Sequence, residues 1–248
     1  MPVQQPVQQM EQSSARPRCV AITGASGALG QALLRAWHRR GARLIALSSS
    51  STPLELRDAS GQAISLQQVV WQVGQERQLA AVLAEVDVLV LNHGVNVHGQ
   101  RDAGATSLSL EVNALSSWRL LELFGELAAD RPTGQGRPEV WLNTSEAEIE
   151  PAFSPLYEIS KRLIGQLLSL RALDLNRVMR IRRLVLGPFR SALNPLGLMG
   201  AEFVAGQILL QAGLGLNLII VTPNPLVYVL MPLTTLGRWL YFRLLTRP

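Results

Sequence analysis

Two rhythms of apolar residues alternate along this chain. Short apolar runs bounded by glycine or polar clusters give way to longer segments in which apolar side chains return every three or four positions. The stretch "RCVAITGASGALGQALLRAWHRRG" reads as strand, glycine turn, amphipathic helix and glycine stop. "ARLIALSSSS" predicts a second strand ending in a hydroxyl run, "QVVWQV" a short third, and "QERQLAAVLAEV" a helix. "DVLVLNHG" is apolar throughout, as strands covered on both faces are. A long helix follows over "SLSLEVNALSSWRLLELFGELAAD", then a loop over "RPTGQGRP" and a fifth strand over "EVWLNTS". "SPLYEISKRLIGQLLSLRALDLNR" predicts a second long helix with Ser154 as N-cap and Pro155 in its first turn. A sixth strand ("RIRRLVLG"), a helix ("GAEFVAGQILLQAG") and a seventh strand ("NLIIVTP") complete the series. The alternation predicts a single α/β domain: a doubly wound, parallel, seven-stranded sheet with helices on both faces.

The two ends depart from this rhythm. Residues 1–17 are rich in Gln, Pro and Ser with no apolar centre, the composition of a disordered leader and not of a signal peptide. Residues 226–248, "LVYVLMPLTTLGRWLYFRLLTRP", are apolar but interrupted by Pro232, two threonines, Gly237 and Arg238, a poor transmembrane pattern. Trp239, Tyr241 and Phe242 beside three arginines suit a helix lying in a membrane interface; a helix packed on a partner subunit or on the domain itself is the other reading.

Composition narrows the function classes. The chain has 248 residues, 48% of them hydrophobic, enough for a large core. A net charge of +5 raises nucleic acid as a partner. The arginines, however, never run longer than two, and aromatic residues make up 5%, so there is no stacking platform and nucleic acid is set aside. The single cysteine, Cys19, opens an apolar run and fits a buried strand residue in a reducing, cytoplasmic compartment. Three histidines form no metal-ligand spacing.

The chemistry sits in two places. "TGASGALG" follows the first strand and opens the first helix, the context that gives a glycine pattern meaning. Gly24 permits the tight turn, Gly27 admits a pyrophosphate to the helix N-terminus, and Gly30 allows close packing, with Ser26 at the rim. The second place is "PLYEISKRLIG", where the only lysine, Lys161, stands beside 22 arginines elsewhere and four residues after Tyr157. Residues i and i+4 share a helix face, so a compact ammonium there can act on the phenol and lower its pKa.

In this order, "TGASGALG", "LNHG" (91–94), Asn113 in "LEVNAL", Ser145 in "NTSEAE" and Tyr157-x-x-x-Lys161 resemble the short-chain dehydrogenase/reductase family, over roughly residues 18–225. A finer resemblance is to proteins described as bifunctional sterol desaturase/short-chain dehydrogenases, of which only the dehydrogenase part applies, because three histidines cannot build a di-iron site. The family resemblance implies a Rossmann-type domain and an enzyme that moves hydride between a nicotinamide and a carbonyl/alcohol pair. It implies Tyr157 as acid/base, Lys161 on the phenol and the ribose, Ser145 on the substrate oxygen, and Asn113 interrupting its helix and holding a relay water. Asn92 and Gly94 would line the cofactor wall; Pro188 and Ser191 in "LGPFRS" would meet the nicotinamide. It further implies a homo-oligomer through helices 107–129 and 155–177, a small lid after Pro188, and, from the tail, a hydrophobic small-molecule substrate.

Several positions keep alternatives. Thr144 competes with Ser145 for the hydroxyl role. His93 is a satisfied loop histidine or a cofactor contact. Glu146, Glu148 and Glu150 flank the substrate mouth or form a solvated loop, and Arg190 meets an anion or plain solvent. Strand two ends in Ser48, Ser49 and Ser50 where an NAD enzyme carries an acid; with Arg43 or Arg57 nearby, this favours NADP(H) over NAD(H). Gln72 or Val73 replaces an adenine-binding aspartate. A nucleotide sensor or scaffold on the same fold is the competing class, countered by the intact Ser-Tyr-Lys set. An epimerase or dehydratase with bound NAD is disfavoured by the short region after strand six.

Overall fold

The computed structural model describes residues 16–132 and 136–247. All of the expected leader except Arg16 and Pro17, and part of the loop at 131–138, lie outside them. Seven parallel strands form one sheet in the order β3-β2-β1-β4-β5-β6-β7: β1 Cys19–Thr23, β2 Arg43–Ser48, β3 Gln67–Val70, β4 Val88–Leu91, β5 Glu139–Ser145, β6 Arg180–Leu186 and β7 Leu218–Val221. The order reverses between β1 and β4, which opens a crevice at the carboxyl ends of those two strands.

Helices cover both faces, so the central strands read apolar throughout. On one face α1 (Ala28–His38) and α6 (Ala201–Gly213) bury Leu33, Leu34, Ile208 and Leu209 against the sheet. On the other, α4 (Ser116–Ala129) and α5 (Pro155–Leu175) bury Leu120, Phe124, Ile164 and Leu168. The segment 49–66 contains no helix. An Arg57–Ala63 bridge folds it, and Leu54, Leu56, Ile64 and Leu66 fill the space a crossover helix would occupy.

Three elements differ from expectation. The helix expected after the third strand shrinks to a 3₁₀ turn, Glu76–Leu79, and one α turn, α2 (Ala80–Leu83). At its start the Glu76 carboxylate accepts from the Gly74 N–H at 3.0 Å and is held by Arg119. The helix expected from 107 begins earlier, at α3 (Ala103–Leu110), because Asp102 caps it by accepting from the Ala105 N–H at 2.9 Å. It then widens into a π turn at Glu111–Leu115 before continuing as α4. Ser154 holds the N-cap position of α5 in an extended conformation, but its hydroxyl donates to the His98 carbonyl at 2.8 Å and caps nothing.

The tail forms one helix, α7 (Val227–Leu245), despite Pro232. The proline sits in the second turn, where it removes a single backbone bond. Val227 and Met231 are buried against Val185 and Ile220 of the sheet edge.

Candidate active site

The glycine turn is built by contacts that exclude a side chain. Gly24 has φ +61°, and a Cβ there would stand 2.8 Å from the His93 Cα. A Cβ on Gly30 would stand 2.8 Å from the Ala25 Cα, so α1 presses directly on the turn. Gly27 takes the N-cap position of α1 with no side-chain cap, and the first helical turn holds no acid. The leading N–H groups of α1 are therefore uncapped by any side chain at an exposed end, a cradle that fits a dinucleotide pyrophosphate. Ser26 is exposed on the rim, its carbonyl accepting from Gln31 at 2.8 Å.

The end of β2 carries fewer free donors than expected. Ser48 is buried and its hydroxyl accepts from the Ser50 N–H at 3.1 Å, which leaves Ser49 as the exposed neighbour. Arg43 lies at the opposite end of the strand, paired with Glu85 at 2.6 Å, and cannot reach a ribose at the carboxyl end. Arg57 donates to the Gly61 carbonyl at 2.8 Å within its own loop. Gln72, the exposed residue of the Gln72/Val73 pair, ties the two loops together by donating to the Ser49 carbonyl at 3.1 Å.

Across the crevice, Asn92 follows β4. Its N–H donates to the Thr23 hydroxyl at 2.9 Å and its side-chain oxygen accepts from Asn143 at 2.9 Å. His93 is satisfied on both ring nitrogens, by Thr23 at 2.8 Å and Ser116 at 3.2 Å, and stands edge-on to Trp71. Burial, reinforced by the Lys161 charge, lowers its pKa to about 4 and keeps the ring neutral. A Cβ at Gly94 would stand 3.1 Å from the Asn113 side-chain oxygen, which fixes how closely this wall meets the π turn.

The π turn explains Asn113. Its side chain is buried at 1% exposure and clamps Val95, accepting from its N–H at 2.7 Å and donating to its carbonyl at 3.0 Å. The same amide donates to Ser160 at 3.0 Å, and Ser160 donates to the Tyr157 carbonyl at 2.7 Å. Ser109 adds a bond to the Leu156 carbonyl at 3.0 Å. The first turn of α5 is thus locked to the wall after β4. Ser160 and Ser109 escape a sequence reading because isolated serines carry no pattern.

Tyr157, Lys161 and Ser145 converge at the end of β5. The Tyr157 phenol lies beside Ser145, whose hydroxyl donates to the Leu186 carbonyl at 3.4 Å and accepts from the Ala147 N–H at 3.2 Å. Thr144 points to the other side of the strand, donating to the Leu184 carbonyl at 3.1 Å, so the alternation of β5 gives the tyrosine to Ser145. The Lys161 ammonium lies 5.5 Å from the Tyr157 ring centroid and donates to the Asn143 carbonyl at 3.0 Å. Asn143, two residues before Ser145, is a site residue the sequence reading missed; its i, i+2 relation to Ser145 was the available signal. The electrostatics correct the expectation for Tyr157. Burial raises the phenol above its ordinary value, Ser145 opposes the shift, and the Glu146 charge adds to it. Burial also pulls Lys161 down to about 8, against the pull of Glu148. In the free protein the lysine does not lower the tyrosine; desolvation wins.

The far wall is the segment after β6. The Pro188 carbonyl accepts from Leu198 at 2.9 Å and Met199 at 3.2 Å, folding 188–199 back on itself. Ser191 accepts from the Asn194 N–H at 3.2 Å, and Arg190 donates to the Gly197 carbonyl at 3.2 Å. Asn96 reaches the Leu193 carbonyl at 3.3 Å and joins this flap to the loop after β4.

The three glutamates do not form a solvated loop. Glu146 accepts from Thr222 at 2.5 Å, Glu150 from Asn224 at 2.6 Å, and Glu148 is fully buried between Arg183 at 2.7 Å and Arg238 of α7. The signal was Arg183 itself, a cation in a central strand that needs a buried partner. Among the described residues no cluster could hold a metal ion.

Residues 20–133 match the model of the NAD dependent epimerase/dehydratase family. Monoglucosyldiacylglycerol epimerase of Synechocystis is 46% identical over 235 residues, 94% of this chain and 56% of that protein. The chain thus spans about half the length of the curated relative it matches. Among solved structures, a bulky-bulky ketone specific alcohol dehydrogenase from Comamonas testosteroni is similar with TM-score 0.74 at 16% identity, covering 92% of this chain and 94% of that one. A short-chain dehydrogenase from Sphingobium yanoikuyae in complex with NADPH matches with TM-score 0.70 at 16% identity, covering 93% and 96%. At 46% identity over 94% of its length the chain belongs to the same family as the Synechocystis protein, and it shares its fold with these dehydrogenase structures. The finer resemblance to sterol desaturase fusions finds no support in them.

Proposed function

We propose that this chain binds a nicotinamide dinucleotide along the uncapped end of α1 and the β1/β4 crevice, and works on a secondary alcohol or its ketone. The convergence of Tyr157, Ser145 and Lys161 on one wall of that crevice carries the proposal. A bound nicotinamide would supply or accept the hydride at the carbinol carbon. Tyr157 gives a proton to, or takes one from, the oxygen of the same carbon, and Ser145 donates a hydrogen bond to that oxygen. Lys161 holds the ribose side and balances charge on the phenol; Asn113 keeps α5 in register with the cofactor wall. Gly24, Ser26, Gly27 and Gly30 hold the pyrophosphate, Ser48 and Ser49 border the adenosine ribose, and Asn92, Gly94, Pro188 and Ser191 enclose the nicotinamide. NADP(H) is preferred over NAD(H) on one ground: residues 48–52 offer hydroxyls and no carboxylate to a 2′-phosphate. Phe153 just before α5, and Leu196 and Leu198 in the segment after β6, are exposed apolar residues that favour a hydrophobic substrate.

A second reading is epimerisation, in which the oxidised carbon is reduced again from its other face and the nicotinamide returns to its starting state. The similarity to an enzyme named for epimerising a glucosyl lipid favours it. That match spans 94% of this chain but 56% of that protein, so it leaves the argument from the short region after β6 where it stood.

Calorimetric titration with NADPH and with NADH is the test. Micromolar binding of NADPH, with Tyr157→Phe binding equally but turning over about 10²–10⁴-fold more slowly, supports the proposal. Net loss of reduced nicotinamide marks a reductase; sugar interconversion without it marks an epimerase. Tighter binding of NADH overturns the NADP preference alone. Failure of both dinucleotides to bind the folded protein overturns the enzyme reading in favour of a scaffold.

A further inference from the structure

The inward face of the last helix mixes apolar and polar side chains, and its outward face is a row of apolar ones. Along α7, Val227, Met231, Thr234 and Arg238 recur at spacings of three and four and face the body of the protein. Arg238 is 10% exposed at Glu148, and the Thr235 hydroxyl is buried with no partner among the described residues. The opposite face repeats the same spacing in Val229, Leu233, Leu236, Leu240 and Leu244. These are 59%, 61%, 54%, 44% and 78% exposed. A helix facing water carries the reverse arrangement. Contiguous exposed apolar surface of this kind marks something that covers it.

Charge identifies the cover. No acidic residue follows Glu202 in the sequence. Arg243 falls on the outward face by helical spacing and lies over the Trp239 ring at 5.1 Å, and Arg247 follows just past the helix end. A second copy of the chain docked through this face about a two-fold axis would bring these arginines into a shared apolar contact with no carboxylate on either helix. A lipid surface with anionic headgroups answers both the stripe and the cations. The helix is not a span: no helix among the described residues is long and apolar enough to cross a membrane. At 19 residues it extends about 28 Å along the surface. It starts just after β7, the strand at one edge of the sheet.

We infer that α7 is an interfacial anchor that lays its Val229–Leu244 stripe in an anionic bilayer. This does not require the catalytic reading to be correct, and its failure would leave that reading standing.

The test is flotation of the full chain with vesicles of phosphatidylcholine, alone or mixed with phosphatidylglycerol, beside sedimentation without lipid. The wild type floats with the mixed vesicles and much less with phosphatidylcholine alone. Leu236→Glu/Leu240→Glu abolishes flotation, and Arg243→Gln/Arg247→Gln weakens it about tenfold or more. Unchanged circular dichroism and dinucleotide binding show that both variants remain folded. Absence of wild-type flotation overturns the inference. So does a wild-type dimer that becomes a monomer in the leucine variant without any lipid binding, which would assign the face to a second copy.

Discussion

Lys161 is a buried cation that costs the fold stability. Its ammonium is buried with one carbonyl partner, and burial brings its pKa to about 8, below the ordinary 10.5. The unfolded chain therefore binds the proton more tightly than the folded one, and stability rises as pH climbs from 8 to 10.5. Below pH 8 the full penalty is present. Lys161→Met should accordingly raise the melting temperature of the ligand-free protein at pH 7, by ~1–2 kcal/mol of stability, while removing activity. A lower melting temperature would show that the Asn143 bond outweighs desolvation. The same balance explains why the Tyr157–Lys161 spacing was legible in the sequence while its electrostatics were not. Spacing places two groups on one helix face; the sign of a pKa shift depends on how much water the rest of the fold removes.

At the scale of elements, every strand was legible because apolar runs between glycines leave few other readings. The long helices were legible through their periodicity. The interruption at Asn113 was expected from the family resemblance; what escaped were the Asp102 cap that moves the start of α3 and the shortness of the helix before β4. The glycine turn lies between these cases. Its pattern was readable, but the reason for each glycine was not. Gly30→Ala sets a methyl against the backbone of Ala25 and should cost ~3 kcal/mol in urea unfolding. Gly27→Ala meets only the Gly24 carbonyl at 3.3 Å; it should leave the unfolding midpoint nearly unchanged and weaken dinucleotide binding instead. Equal losses of stability would show that Gly27 serves the fold alone.

For the whole molecule, buried titrating groups set the response to acid. His93 is neutral in the folded state down to about pH 4, whereas the unfolded chain takes up its proton near the ordinary 6.5. Stability should fall by as much as about 3 kcal/mol between pH 6.5 and 4. Burial alone would raise the Glu76 and Glu139 carboxyls. Arg119 on the first and Arg182 on the second outweigh it and hold both at about 2. Their contribution is present above the ordinary 4.5 and is lost as pH falls from there toward 2. Thermal melts across this range should show an early decline that His93→Gln removes and a later one that it leaves. A single decline beginning below pH 4.5 would show that His93 is protonated in the fold. The arginine pair around Glu148 has a different kind of consequence. One carboxylate, beside the segment that carries Ser145, holds a cation from β6 and another from the last helix. A tail exchanged between related proteins cannot travel alone; residues 148 and 238, 90 positions apart, should be inherited together or lost together.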